Sequence, residues 1–105
     1  MLGADVETGK RWSEDTVRRL GHEFNVPLDV EWGTVWSRFG KSRRAKNRTS
    51  LQLILSRGRT RKILWLDTDD LKCAVADSSR LAAQAKIRSQ VEAGIAEIVR
   101  RISLQ

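Results

Sequence analysis

A helical pattern is the first regular feature along the chain. Val17, Leu20 and Phe24 recur at the spacing of one face of a helix. Ser13 precedes them, and its hydroxyl can accept a hydrogen bond from a free backbone N–H at a helix start. Pro27 disfavours helical geometry in the residue before it. The pattern therefore predicts a first helix that begins at Ser13 and ends before Pro27.

Three stretches in the middle of the chain alternate between apolar and polar residues. They cover residues 28–39, 49–56 and 60–66, and Gly58 lies in a short turn between the last two. Alternation with a period of two is typical of strands that bury one face. Short connections favour antiparallel pairing, so the three stretches predict a three-stranded antiparallel sheet.

The alternation also predicts which face of each strand meets the core. The second strand places one set of leucines on a shared face: Leu51, Leu53 and Leu55. Ile54 lies on the opposite face. Trp32 and Trp65 are expected in the core, because aromatic side chains are enriched on half-buried sheets.

A long apolar stripe at helical spacing closes the sequence. Acidic residues from Asp67 onward predict a capped helix start, and the serines at 78–79 either break or kink the helix that follows. The stripe exceeds what three strands can cover, which predicts a homodimer through part of this helix. The residues expected to form that contact are Val91, Ile95, Ile98 and Ile102. Packing of the stripe within one chain is the alternative.

Together these elements predict an α+β fold in the order α-β-β-β-α, with a long or broken C-terminal helix. Residues 1–11 are polar and aperiodic, so they are expected to form a loose N-terminal arm. Residues 12–105 are expected to form a single domain, since 105 residues suit one core.

Charge changes the picture from fold to partner. The chain carries 20 Lys and Arg against 13 Asp and Glu, a net charge of +7. From Trp32 to Leu66 there is no acidic residue, whereas the rest of the chain is mildly acidic. The bases of this acid-free window are Arg38, Lys41, Arg43, Arg44, Lys46, Arg48, Arg57, Arg59, Arg61 and Lys62. Such segregation of charge is typical of nucleic-acid-binding proteins.

The bases form two groups at the two connections of the predicted sheet. Arginine and lysine there can neutralise phosphates and release counterions, and arginine can also bind guanine through two donors. The groups lie roughly 25 Å apart at ~3.3 Å per strand residue, which suits successive contacts on one duplex. Trp36, beside the first group, is either a core residue or a stacking surface for unpaired bases. DNA is slightly preferred to RNA, because the sequence contains no strong stacking motif.

Catalysis and cofactors have little support in the sequence. His22 is the single histidine, Cys73 is the single cysteine, and the second and third strands contain no acids that could hold a metal. No enzyme activity, metal or cofactor is therefore expected. A protein-interaction module that docks an acidic partner and oligomerises through the last helix is the alternative, and a toxin-like RNase is a weaker one. The absence of a signal-peptide pattern and of a long apolar run leads us to expect a cytoplasmic protein without membrane contact.

Overall fold

The computed structural model describes residues 5–38 and 48–104, with residues 34–38 and 48 described for the backbone alone. Its elements follow the order α-β-β-β-α-α, which confirms the α+β fold and shows that the last helix is divided. Their bounds are α1 Val6–Glu23, β1 Asp29–Arg38, β2 Arg48–Arg57, β3 Thr60–Asp67, α2 Thr68–Cys73 and α3 Arg80–Ser103. Ser78 and Ser79, which the sequence left as either a break or a kink, lie in a break between α2 and α3.

The first helix begins earlier than predicted. The side chain of Asp5 caps it by accepting a hydrogen bond from the backbone N–H of Thr8 at 2.8 Å. The predicted start at Ser13 and the loose arm over the residues before it are therefore wrong from residue 6 onward. Ser13 is buried inside the helix, where its hydroxyl donates to the carbonyl of Gly9 at 2.9 Å. Val6 and Trp12 of these first turns pack against the core, but the fully buried position between them is Gly9, which carries no apolar side chain.

Helix α1 ends before Pro27 as predicted, and its end is a Schellman motif. Asn25 has a positive φ of 59°, and its N–H donates to the carbonyl of His22 at 3.0 Å. The N–H of Val26 donates to the carbonyl of Gly21 at 2.7 Å. These two bonds satisfy carbonyls that a helix end leaves without partners and turn the chain towards β1.

The three strands form one antiparallel sheet in the order β1-β2-β3. Facing partners in the register share a face, so Leu53 and Leu64 lie on one side, and Ile54 and Ile63 lie on the other. The first side is covered by helices, and its residues are buried. Among the described residues no helix packs on the second side, and we call it the open face. The predicted inward leucines and outward Ile54 are confirmed.

Helix α3 packs its apolar stripe on the covered side of the sheet. The stripe residues that are buried within the single chain are Ala83, Ile87, Val91, Ile95 and Ile98. A Cβ placed on Gly94 would lie 3.2 Å from Leu55 Cδ1 and 3.1 Å from Leu64 Cδ2, so this glycine lets the helix approach the sheet closely. The stripe thus has a partner inside the chain. The predicted homodimer stays untested, and only Ile102 of its expected contact residues is partly exposed.

Trp32 confirms its place beside the core and also joins the sheet to α1. It is partly buried, and its indole N–H donates to Glu14 Oε2 at 2.6 Å. The ammonium of Lys10 lies 5.3 Å from the centre of the ring. Helix α2 is attached to α3 by Lys86 Nζ, 2.9 Å from a buried oxygen of Asp70, so charge pairing compensates the burial of that oxygen.

Candidate functional site

The tight turn between β2 and β3 carries the basic residues that the structure brings together. Arg57 and Thr60 face each other in the register, so Gly58 and Arg59 alone form the loop. Gly58 has a φ of 61°, and Arg59 is not among the described residues with positive φ, which is the pattern of a type II′ turn. The turn projects Arg59 into solvent at the tip of the hairpin.

Two guanidinium groups link this turn to neighbouring elements. Arg57 donates to the carbonyl of Pro27 at 3.2 Å, which connects the hairpin to the end of α1. Arg101, from the last turn of α3, donates to the carbonyl of Arg61 at 3.1 Å. A shallow open depression at the turn is lined by Arg57, Gly58, Arg59, Thr60 and Ile102. We call this end of the molecule, with Arg57, Arg59, Arg61, Lys62, Arg100 and Arg101, the basic end.

The bases from α3 were missed by the sequence analysis. Arg100 and Arg101 lie outside the acid-free window, and forty residues separate Arg101 from its partner Arg61. The available signal was weak, since two bases in the last turn of a helix are explained by the helix dipole alone. Only the packing of α3 across the sheet places them beside the hairpin.

One carboxylate partly balances the basic end. Glu97 Oε2 accepts hydrogen bonds from Arg100 at 2.7 Å and from Arg101 at 2.8 Å. These bonds hold the pKa of Glu97 below its usual value of 4.5. Glu97 therefore stays ionised at neutral pH and orients both arginines. Since it supplies one negative charge against two positive ones, the basic end keeps a positive excess.

The predicted contact residues divide into two sets. Arg57, Arg59, Arg61 and Lys62 all lie at or beside the hairpin, as expected, although Lys62 faces Leu55 in the register and is half-buried. Arg38 and Arg48 pair at the opposite end of β1 and β2, and their side chains are not described. The same holds for the side chain of Trp36. Outside the described residues lie Lys41, Arg43, Arg44 and Lys46.

The open face contradicts one prediction about the aromatic residues. Trp65 lies on this face opposite Gln52 and is 45% exposed, so the expectation that it fills the core is wrong. Ile63, two residues earlier on the same strand, is 43% exposed. The alternation was read correctly, but the rule that sheets bury their tryptophans does not say which face is covered. Between these exposed side chains and β1 lies Ile54, only 5% exposed.

Catalytic groups do not converge among the described residues. No trio of histidine, cysteine or acidic side chains there is placed to hold a metal ion. His22 is exposed near the end of α1, and Cys73 is half-buried at the end of α2. The chemistry that the described surface offers is the binding of anions by guanidinium groups.

Comparison of the chain with protein-family profiles, with curated protein sequences and with solved structures finds no match in any of the three. In the part of the chain that the structure describes, no helix is long and apolar enough to cross a membrane. The interpretation of the site accordingly rests on its own geometry and charge.

Proposed function

We propose that this protein binds nucleic acid, mainly through phosphates, by means of the basic end and the first group of bases in the acid-free window. The observation that carries the proposal is the convergence of bases from β2, β3 and α3 around one turn, with Arg101 bonded to the backbone of Arg61. We propose no catalytic step. The proposed ligand is either DNA or RNA. The reducing cytoplasm is the proposed compartment, which fits an unpaired Cys73.

The arrangement suits phosphate binding for a physical reason. Each guanidinium presents several N–H donors in a plane that matches the oxygens of a phosphate. Arg57 and Arg101 spend part of this capacity on backbone carbonyls, which fixes their positions, whereas Arg59 at the tip projects into solvent. Fixed bases with donors to spare lose less conformational entropy on binding than bases on a mobile surface.

The length of the sheet supports contacts along a polymer rather than on a small anion. Strand β2 begins at Arg48 and ends at Arg57. At about 3.3 Å per residue, these two bases are roughly 30 Å apart. A single phosphate compound cannot reach both ends, whereas a nucleic-acid strand can. The acid-free window includes all of β2, so no carboxylate of this strand interrupts the positive charge between Arg48 and Arg57.

A salt titration tests the proposal. Fluorescence anisotropy of a labelled oligonucleotide, single-stranded or duplex, should show binding at about 50 mM salt that weakens steeply by about 200 mM. Each phosphate contact contributes about 0.7 to the slope of log K against log salt for a single strand and about 0.9 for a duplex. Replacing both Arg57 and Arg59 by Ala should lower the slope by about 1.4 for a single strand and by about 1.8 for a duplex.

A matched control separates location from net charge. Arg80→Ala also removes a positive charge, but Arg80 is the first residue of α3. The rise of about 1.5 Å per residue places it roughly 31 Å from Arg101. This variant should keep its slope. Absence of binding to any oligonucleotide at low salt would overturn the proposal. So would a loss of slope per removed arginine in Arg80→Ala equal to that in the variant without Arg57 and Arg59.

A further inference from the structure

The open-face side of β3 presents a guanidinium, an aliphatic chain and an indole in one row. Arg61, Ile63 and Trp65 are exposed, and alternate residues of a strand point to the same face. Neighbours in the row are about 6.6 Å apart at ~3.3 Å per residue. We call these three residues the β3 row. Trp65 is 45% exposed and Ile63 is 43% exposed, so part of the indole surface is accessible to a ligand beside the guanidinium of Arg61.

The backbone beneath the β3 row is held by α3. The side-chain amide of Gln90 donates to the carbonyl of Trp65 at 3.1 Å, and Arg101 donates to the carbonyl of Arg61 at 3.1 Å. Strand β3 is an edge strand, and free carbonyls on an edge are the usual template for adding a strand from another protein. Because α3 occupies these two carbonyls, the edge is poorly suited to strand addition, and the backbone that carries the β3 row is tied to α3.

Charge on the open face favours a path along β3. The acids Asp29 and Glu31 face Ser56 and Ile54 in the register, so they lie on the same face but on the opposite edge strand. Two strand spacings of about 4.8 Å separate the edges. An anionic chain that avoids these carboxylates runs along the β3 row from the basic end at Arg61 as far as Trp65, since Asp67 follows on the same face of β3.

We propose that the β3 row binds a single-stranded segment of nucleic acid, with an unpaired base stacked on Trp65 and a phosphate on Arg61. This inference rests on the proposed function and names its substrate class. A duplex keeps its bases stacked on one another, so the indole has no base face to contact there. An unpaired base offers such a face, and base–aromatic stacking tolerates any sequence. The slight preference for DNA depended on the lack of a stacking surface and therefore falls away.

Two substitutions of the same residue test this inference. Trp65→Phe keeps an aromatic face, whereas Trp65→Leu keeps apolar surface without one. The probe is a labelled deoxythymidine oligonucleotide of about 16 nucleotides, compared with a duplex of equal length and with the RNA counterpart. Trp65→Leu should weaken single-strand binding by about 5- to 150-fold, Trp65→Phe by much less, and neither should change duplex binding.

A spectroscopic signal distinguishes stacking from a structural effect. The wild-type tryptophan fluorescence should be quenched by the oligonucleotide, and the quenching should largely disappear in Trp65→Phe although binding persists. Circular dichroism and urea unfolding establish that both variants fold, which their exposed position favours.

The outcomes separate this inference from the proposed function. Unchanged single-strand affinity in Trp65→Leu, with salt-dependent binding intact, would overturn the stacking inference and leave phosphate binding standing. Equal loss of binding to single strand and duplex would overturn it as well. Loss of a co-purifying acidic protein in Trp65→Leu, with no oligonucleotide binding in the wild type, would overturn both and indicate a protein-docking face.

Discussion

Replacing Gly9 by Ala should destabilise the protein, although alanine is the better helix former. A Cβ at this position would overlap the carbonyl oxygen of Leu71 and lie 2.7 Å from the carbonyl carbon. Ordinary contact begins at 3.4 Å, so α1 and α2 must separate by about 0.7 Å or more. The neighbour is backbone and cannot rotate away. Overpacking of this kind costs about 1–3 kcal/mol, against a helix-propensity gain of up to about 1 kcal/mol. Because the overlap is with backbone, the cost is expected at the upper end of its range, about 3 kcal/mol, and the net loss is about 2 kcal/mol.

The same substitution at Gly94 supplies the matched control. There a Cβ would meet only the methyl ends of Leu64 and Leu55, at 3.1 and 3.2 Å. These ends can rotate by the few tenths of an ångström required, and the gain in helix propensity offsets the remaining strain. We therefore expect Gly94→Ala to be within about 1 kcal/mol of the wild type, on either side. The two variants should differ by about 2 kcal/mol.

Urea unfolding followed by tryptophan fluorescence measures both free energies, and thermal unfolding provides a second readout. A difference of about 2 kcal/mol corresponds to about 8–16 °C in Tm for a domain of this size. The slope of the urea transition should be unchanged in both variants, because neither alters the surface exposed on unfolding. Gly9→Ala as stable as Gly94→Ala, or more stable, would refute the close approach of α1 to α2 and with it the early start of α1.

Three further predictions concern caps and charge. A carbon-detected NMR titration should give Glu97 a midpoint below 4.5, because Arg100 and Arg101 stabilise its ionised form; its contribution to stability is then present above 4.5 and is lost as the pH falls through the lowered value. Glu97→Gln should leave both arginines free for phosphates and steepen the salt slope for a single strand by about 0.7 for each arginine that gains a phosphate contact; an unchanged slope would mean that Glu97 keeps neither arginine from the ligand. Asp67→Ala should cost about 0.5–2 kcal/mol in urea unfolding, since it removes the cap on the N–H of Asp69 at 2.8 Å.

The sheet could be predicted from the sequence because burial alternates with the period of a strand. Leu51, Leu53 and Leu55 fill the covered face, and the turn at Gly58 leaves a single compatible register for β2 and β3. A shift by one residue would move the leucines to the open face. The local alternation and the tertiary packing agree here, so the alternation alone is enough to predict the strands.

The start of α1 could not be predicted because the apolar residues of its first turns, Val6 and Trp12, do not form a continuous stripe with Val17 and Leu20. The buried position of these turns is Gly9, which is small because the backbone at Leu71 lies against it. Gly9 and the inward leucines of β2 are all buried, but only the leucines contribute to a hydropathy pattern. Serine at position 13 looks like a cap for the same reason that it fits a helix interior, since its hydroxyl can bond either way along the backbone.

The candidate site was predictable in sign but not in composition. The absence of acids from Trp32 to Leu66 located the hairpin bases, yet Arg101 reaches the same turn only through the packing of α3. Trp65 shows the complementary limit. The alternation placed Trp65 on one face of β3. Whether a helix covers that face depends on how many helices there are and on which side of the sheet each one packs. Neither quantity is written in the strand itself.

The two faces of β3 are linked by one helix, and this link connects stability with the proposed binding. Gly94 and the apolar stripe of α3 press on the covered side, while Gln90 and Arg101 of the same helix hold the carbonyls of Trp65 and Arg61. A helix displaced from the sheet would lose both sets of contacts together. The β3 row therefore keeps its geometry only as long as the core keeps its packing, so binding to a single strand should stabilise α3 against local opening even though the ligand touches the opposite face.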